Sequence, residues 1–320
     1  MRRYIIRRLV QALVMIVIMS VVFFLLIHLL PGGPDKVFFS PRTPPEARAE
    51  LRKQLGLDNP LPVQYLAWFT QVLQGNFGYS IADGQPVLTD LGRLFPNTLE
   101  LFLTSLIFAL IVAILLGVLA AVRQYSITDY TVTVLAYFGI SMPIFFFGLL
   151  LQNVFGDTFH VLPTIGISTP NANFTPLENF EDRLAHLILP AIVLSLLFIA
   201  GWSRYLRSSM LDVVKQDYIR TARAKGLSGR VVFFRHALRN ALIPLLTQVA
   251  IDFGAIAGGA AITETVFAWP GVGKYFIESL VARDYTVLMA MLLLSTASVL
   301  LFNLVADILY SVVDPRIRYS

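Results

Sequence analysis

Cysteine is absent from the 320-residue chain, which excludes a disulfide framework, a thiolate nucleophile and a thiolate-bound metal. Histidine is nearly absent too: His28, His160, His186 and His236 are too scattered to read as a metal site. Charge is scarce, at 14% Asp, Glu, Lys and Arg against 56% hydrophobic residues, with a mean hydropathy of +0.70. Such a chain has too little polar surface to cover itself in water, so it reads as an integral membrane protein. No HExxH, Ser/His/Asp grouping or pair of buried carboxylates stands out. No catalytic residue, cofactor site or metal ligand is therefore expected.

Nucleotide binding is excluded on similar grounds. Pro270-Gly271-Val272-Gly273-Lys274 looks like the end of a phosphate-binding loop, but that pattern needs a glycine where Ala268 stands. Tyr275 also occupies the place of the Mg²⁺-binding Ser or Thr. Energy, if the protein uses it, must come from another subunit.

Long apolar runs are what the chain has in abundance. Residues 1–8 are basic, and Leu9–Leu30 contains no Asp, Glu, Lys or Arg. That core is long enough to span a bilayer and lacks the small-residue cleavage site of a signal peptide. Further runs at about 98–122, 131–155, 186–203, 240–262 and 286–312 bring the expected transmembrane helices to six. Both termini then lie on one side. Sixteen Lys and Arg residues fall in 1–8, 123, 204–239 and 314–320, against nine in 31–96, 156–185 and 263–285. The bias predicts cytoplasmic N- and C-termini and a cytoplasmic 204–239.

Residues 31–96 read as a small helical extracytoplasmic domain between the first two spans. A helix is expected from Thr43-Pro44-Pro45-Glu46 to a stop at Gly56. A second covers Val63–Leu73, with Tyr65, Trp68, Phe69 and Val72 as its apolar stripe. A third covers Val87–Phe95 and ends at Pro96. The domain is either a cap over the membrane part or a surface for a substrate-delivering protein. The remaining divisions are a tail and first span over 1–30, a membrane core over 97–313 and a tail over 314–320.

The basic stretch 218–244 carries Arg220, Arg223, Lys225, Arg230, Arg235 and Arg239, with no acid after Asp217. Asp217 is placed to cap a short helix and Gly226 to end it in a left-handed conformation. Ala222 and Ala224 would let a partner's walls approach the backbone of this knob. A solvated basic loop drawn to anionic lipid heads fits the same residues. Nucleic acid fits them less well, because the stretch is anchored between two membrane runs.

The segment Asp217–Leu227 (DYIRTARAKGL), followed by Arg235–Pro244 (RHALRNALIP), resembles the cytoplasmic coupling loop of ABC-importer permease subunits, closest to the peptide and nickel class. Arg220-Thr221-Ala222 replaces the general Glu-Ala-Ala, and Pro244 comes later than in the general pattern; both departures suit the peptide class. His28-Leu29-Leu30-Pro31-Gly32, Gly75-Asn76-Phe77-Gly78-Tyr79-Ser80, the run Glu264–Gly273 and Asn303–Tyr310 with Asp314-Pro315-Arg316 are similar to other parts of that class. Gly33-Pro34-Asp35 departs from its usual order in the first turn.

This resemblance implies an all-α, polytopic type I ABC-importer permease fold in the bacterial cytoplasmic membrane. It implies a second homologous permease, two ABC ATPase subunits that bind ATP and Mg²⁺, and an extracytoplasmic substrate-binding protein. Coupling to the ATPases would run through 217–226, with Asp217, Tyr218, Thr221, Ala222, Arg223, Ala224 and Gly226 as its residues. Di- or oligopeptides are the implied substrate, with nickel or another small solute as the alternative. An ion-coupled secondary transporter would instead show paired broken segments in inverted repeats, which the apolar runs do not suggest. A non-transporting scaffold is the remaining rival.

Asp252 and Asp307 are the acids expected within apolar runs, where a charge is costly. Asp252, followed by Gly254 and Gly258, either lines a polar path or makes a structural contact. The four-residue spacing of the glycines suits close helix packing. Asp307 reads as structural.

Overall fold

Ser105, Ala109, Ala113 and Gly117 recur every four residues along one helix and leave a stripe narrow enough for a second helix to lie close. That helix is α3 (Val87–Val122), and the one seated on it is α6 (Pro176–Val214). A Cβ at Gly117 would stand 2.8 Å from the Ser203 carbonyl and 3.0 Å from Leu206 Cβ. Leu101, Phe102, Leu106, Leu187, Leu194 and Trp202 fill the seam on either side of this line. The computed structural model describes residues 2–29, 53, 56, 58–254 and 260–313, with the side chains of these except 2–5, 27 and 306–313.

The other elements, in chain order, are α1 (Arg2–Leu29), α2 (Leu61–Leu73), α4 (Ile127–Ser141), α5 (Ile144–Leu151), α7 (Asp217–Ala224), α8 (Gly229–Val231), α9 (Arg239–Phe253), α10 (Ala261–Val266), α11 (Val272–Ala282) and α12 (Tyr285–Val313). Two π-helical stretches, Gln152–Thr158 and Val232–Leu238, continue α5 and join α8 to α9. No strand occurs among the described residues. The protein is all-α and polytopic. Around the α3–α6 pair, α4 and α9 pack on α6, and α12 packs on α1 and α9.

Four helices are long and apolar enough to cross a membrane among the described residues: α1, α3, α6 and α12. A fifth span results if the pair 127–141 and 144–158, bent by 103°, counts as one. The sequence predicts an unbroken span over 131–155, and the break corrects it. Met142 precedes Pro143 and takes the extended ψ of 125° that a following proline favours. Pro143 then starts α5 with its missing N–H at no cost. The run predicted at 240–262 contributes only the 15-residue α9, which ends at Phe253 before the undescribed residues 255–259.

Two boundaries shift for tertiary reasons. The short helix expected to stop at Pro96 instead runs on as one 36-residue α3 with Pro96 inside it. Contacts next to the proline hold the backbone through it: Trp269 Nε1 donates to the Asn97 carbonyl at 3.0 Å, and Asn97 Nδ2 donates to the Pro270 carbonyl at 2.8 Å. Likewise 204–214, expected in a cytoplasmic loop, are helical and end α6. At its other end α6 starts with a reciprocal capping box between Thr175 and Glu178.

Between α1 and α3, α2 covers the expected Val63–Leu73 and begins two residues earlier, with proline in its first turn. Its stripe meets α1: Tyr65 Oη lies 2.9 Å from Ser20 Oγ, and the Phe24 ring centroid lies 5.5 Å from that of Tyr65 and 5.9 Å from that of Trp68. The helix start expected at Thr43–Glu46 lies outside the described residues, as does the tail 314–320.

Candidate functional site: a seated helical knob and a buried carboxylate knot

The knob is built from its own ends. Gln216, not Asp217, is the N-cap of α7, with φ −70° and ψ 147°, and it makes no side-chain cap bond. Asp217 therefore sits inside the first turn, where its charge meets the positive end of the helix dipole. Its ion pair with Arg220 at 3.5 Å is exposed on both sides and adds little to stability. At the other end Gly226 has φ +76°, as expected. Leu227 N donates to the Ala222 carbonyl at 3.4 Å and Gly226 N to the Arg223 carbonyl at 3.0 Å. These two bonds form a Schellman stop, which requires the left-handed residue at 226.

Ile219 and Ala222 are the buried residues of α7. They join the core cluster that includes Val232 and Ala237, so α7 lies on the π-helical stretch. Asn240 Nδ2 donates to Tyr218 Oη at 3.1 Å and pins the flank of the knob. This corrects the reading of Ala222 as outward wall: its small side chain allows α7 to approach its own chain. Of the two alanines, only Ala224 is exposed. Asp217, Tyr218, Arg220, Thr221 and Arg223 share the exposed surface, which is basic overall.

Asp252 is hydrogen-bonded within the protein. Trp202 Nε1 donates to Asp252 Oδ2 at 2.7 Å, and Gln248 Nε2 donates to Oδ1 at 3.1 Å. Gly254 is packed against α12, where a Cβ would come within 3.3 Å of Phe302 Cβ. Gly258 and the side chain of Asp307 lie outside the described residues.

The sequence reading missed a polar knot centred on Glu264, which is fully buried in α10. Its Oε1 accepts from Thr98 Oγ1 at 2.8 Å and from Ala260 N at 3.3 Å; its Oε2 accepts from Lys274 N at 2.9 Å. The Thr98 hydroxyl in turn accepts from Val272 N at 2.8 Å. One carboxylate thus joins α3, α10 and α11. A Cβ at Gly271 would lie 2.4 Å from Glu264 Oε2, and one at Gly273 would lie 2.6 Å from Ala261 N. Of the glycines that look like part of a phosphate loop, Gly271 makes room for this carboxylate and Gly273 for the backbone of Ala261. Burial pushes the Glu264 carboxyl above its ordinary pKa, against the bonds from Lys274 N and Thr98. The available signal was one acid followed at short range by two glycines.

Other pairings also had no local signal. Asp284, buried at the start of α12, accepts from Ser80 Oγ at 2.7 Å and Ile81 N at 2.7 Å, tying the loop between α2 and α3 to the last helix. Arg207 on α6 forms a bidentate pair with the buried Asp129 of α4 at 2.6 and 2.7 Å. Arg183 bonds Glu100 through both nitrogens of its fork.

Apolar spans around a close-packed helix pair, with a basic helix seated at one end, define a polytopic membrane protein. Comparison with known proteins agrees. Residues 113–319 match the model described as "Binding-protein-dependent transport system inner membrane component", and residues 1–102 match the N-terminal model of such membrane components. The chain belongs to this family, the permeases of ABC importers. It is 43% identical over 320 residues to the oligopeptide transport system permease protein AppB of Bacillus subtilis, covering all of both chains. It is 39% identical over 320 residues to the glutathione transport system permease protein GsiC of Salmonella choleraesuis, again over the whole of both. The dipeptide transport system permease protein DppB of Alkalihalophilus pseudofirmus is 38% identical over 333 residues, also at full coverage.

Proposed function

We propose that this chain is one of two permeases in an ATP-driven importer of short peptides in the bacterial cytoplasmic membrane. The observation that carries the reading is the seated knob: α7 is fixed to the membrane core through Ile219 and Ala222 while its opposite face is exposed. A short helix held in this way transmits a push to the helices beneath it. In this reading the groove of a partner ATPase takes Tyr218, Thr221, Arg223 and Ala224, and ATP-driven closure moves α7 together with α9. Gly226 keeps the knob short, and Asp217 steadies its first turn. A second permease completes the pathway and an extracytoplasmic binding protein delivers the peptide. The names of the full-length relatives support a peptide substrate over nickel. The excess of Lys and Arg supports a cytoplasmic 204–239 and cytoplasmic termini.

The test is reconstitution of the whole importer in liposomes with radiolabelled di- and oligopeptides. Uptake should require ATP, both ATPases and the loaded binding protein. Uptake by this chain alone, driven by an ion gradient, would overturn the proposal.

A further inference from the structure

A groove of about 500 Å³ between α4 and α6 is lined by Thr133, Tyr137, Arg204, Tyr205, Arg207 and Ser208. It belongs neither to the knob nor to the carboxylate knot. Its two cations are not equivalent. Arg207 spends its fork on Asp129, at 2.6 and 2.7 Å, so its charge is matched. Arg204 makes no ion pair among the described residues; its guanidinium carbon lies 4.4 Å from the Tyr137 ring centroid. Stacking fixes the plane of the guanidinium and leaves its edge N–H groups free to donate to an oxyanion. The groove thus offers an oriented, uncompensated cation, with the hydroxyls of Thr133, Tyr205 and Ser208 in the same lining.

Its depth points to the source of the anion. Arg204 follows directly on the apolar run 186–203, at the end of α6 that leads to the knob. Thr133 and Tyr137 stand six and ten residues after Ile127, roughly 9 to 15 Å along α4. Arg204 thus marks the polar end of its apolar run, and deeper along the same helices Phe138 of α4 and Leu197 of α6 are exposed and apolar. A polar pocket above an apolar flank matches the shape of a phospholipid. With this end cytoplasmic, as the proposed function requires, the groove faces a leaflet whose surface carries anionic lipid.

We propose that Arg204, held by Tyr137, binds the phosphate of an anionic phospholipid headgroup in the groove between α4 and α6. The test is native mass spectrometry of the purified importer complex, titrated with phosphatidylglycerol and, separately, phosphatidylcholine. Wild type should retain one phosphatidylglycerol more than Arg204→Ala, whose affinity at this site should fall about tenfold or more. Phosphatidylcholine should bind more weakly than phosphatidylglycerol. Tyr137→Leu keeps both charges and loses only the stacking, so it should fall in between; it decides the question if Arg204→Ala fails to assemble. The exposed Arg230→Ala should match wild type. Equal retention by all variants overturns the proposal. Displacement of the lipid by millimolar inorganic phosphate would assign the site to free phosphate instead. Loss of the second permease from Arg204→Ala or Tyr137→Leu, with lipid retained, would make the groove a protein seat. None of these outcomes depends on which solute is imported, so failure here is distinguishable from failure of the peptide reading.

Discussion

Trp202 donates its indole N–H to the Asp252 carboxylate across 2.7 Å and so fastens α6 to α9, the helix that continues from the π-helical stretch on which the knob sits. The bond joins residues 50 positions apart. Gln248 supplies a second donor from one turn earlier. An acid inside an apolar run thereby has two donors within the protein.

Trp202→Phe removes that donor while keeping most of the ring volume. A hydrogen bond to a charged group is worth about 1.5–3 kcal/mol, so the variant should lose stability on that scale. Thermal unfolding of the purified complex measures it. Peptide preference should be unchanged; an altered preference at unchanged stability would place Asp252 on the solute's path.

Thr98→Val replaces the hydroxyl that both donates to Glu264 and accepts from Val272 N with a methyl of similar size. Two buried polar groups lose a partner, at about 1–3 kcal/mol each. The effect should depend on pH. The carboxyl is raised in the folded state, so its contribution is fully present below the ordinary carboxylate pKa and is lost as pH rises through the raised value. Removing the Thr98 bond, which lowers that pKa, should enlarge the loss. Melting temperatures from acid to neutral pH should therefore fall more steeply in the variant than in wild type.

Knob variants separate the seat from the free face. Ala222 is buried against the core, so Ala222→Trp should unseat α7 and destabilise the permease itself. Overpacking of this kind costs about 1–3 kcal/mol or more. Ala224→Trp projects from the exposed side and should leave stability intact while reducing ATPase association and peptide uptake. Gly226→Val should disrupt the helix stop, because a β-branched residue resists a φ of +76°. Uptake and ATPase rate in liposomes, beside melting temperature, decide each case. Normal coupled uptake by Ala224→Trp would remove the ATPase-facing role of that surface.

Orientation is open to thiol labelling without background, because native cysteine is absent. Ser80 is buried on Asp284 and would label poorly, so Gln74→Cys reports on the outer segment better. An impermeant reagent on intact cells should modify Gln74→Cys and Ser168→Cys but not Ser228→Cys. Labelling of Ser228→Cys alone would reverse the topology.

Local physics made much of this protein legible in its sequence. Scarce charge and long apolar runs required membrane helices, the aromatic stripe of Val63–Leu73 marked α2, and a lone glycine at 226 announced the left-handed stop of the knob. Each of these rests on a few neighbouring residues. Where two local signals had equal standing, tertiary contacts chose between them: Pro143 breaks its run, whereas Pro96 is carried through by Asn97, Trp269 and Pro270. Tertiary structure alone decided which way α7 faces, because Ala222 and Ala224 are the same residue type two positions apart and differ only in what lies beneath them. It also decided the partners of the buried charges. Glu264 meets Thr98 and Arg207 meets Asp129 across 166 and 78 residues. Only chain packing brings such groups together, since their pairing depends on distance in space and leaves no periodic trace along the chain.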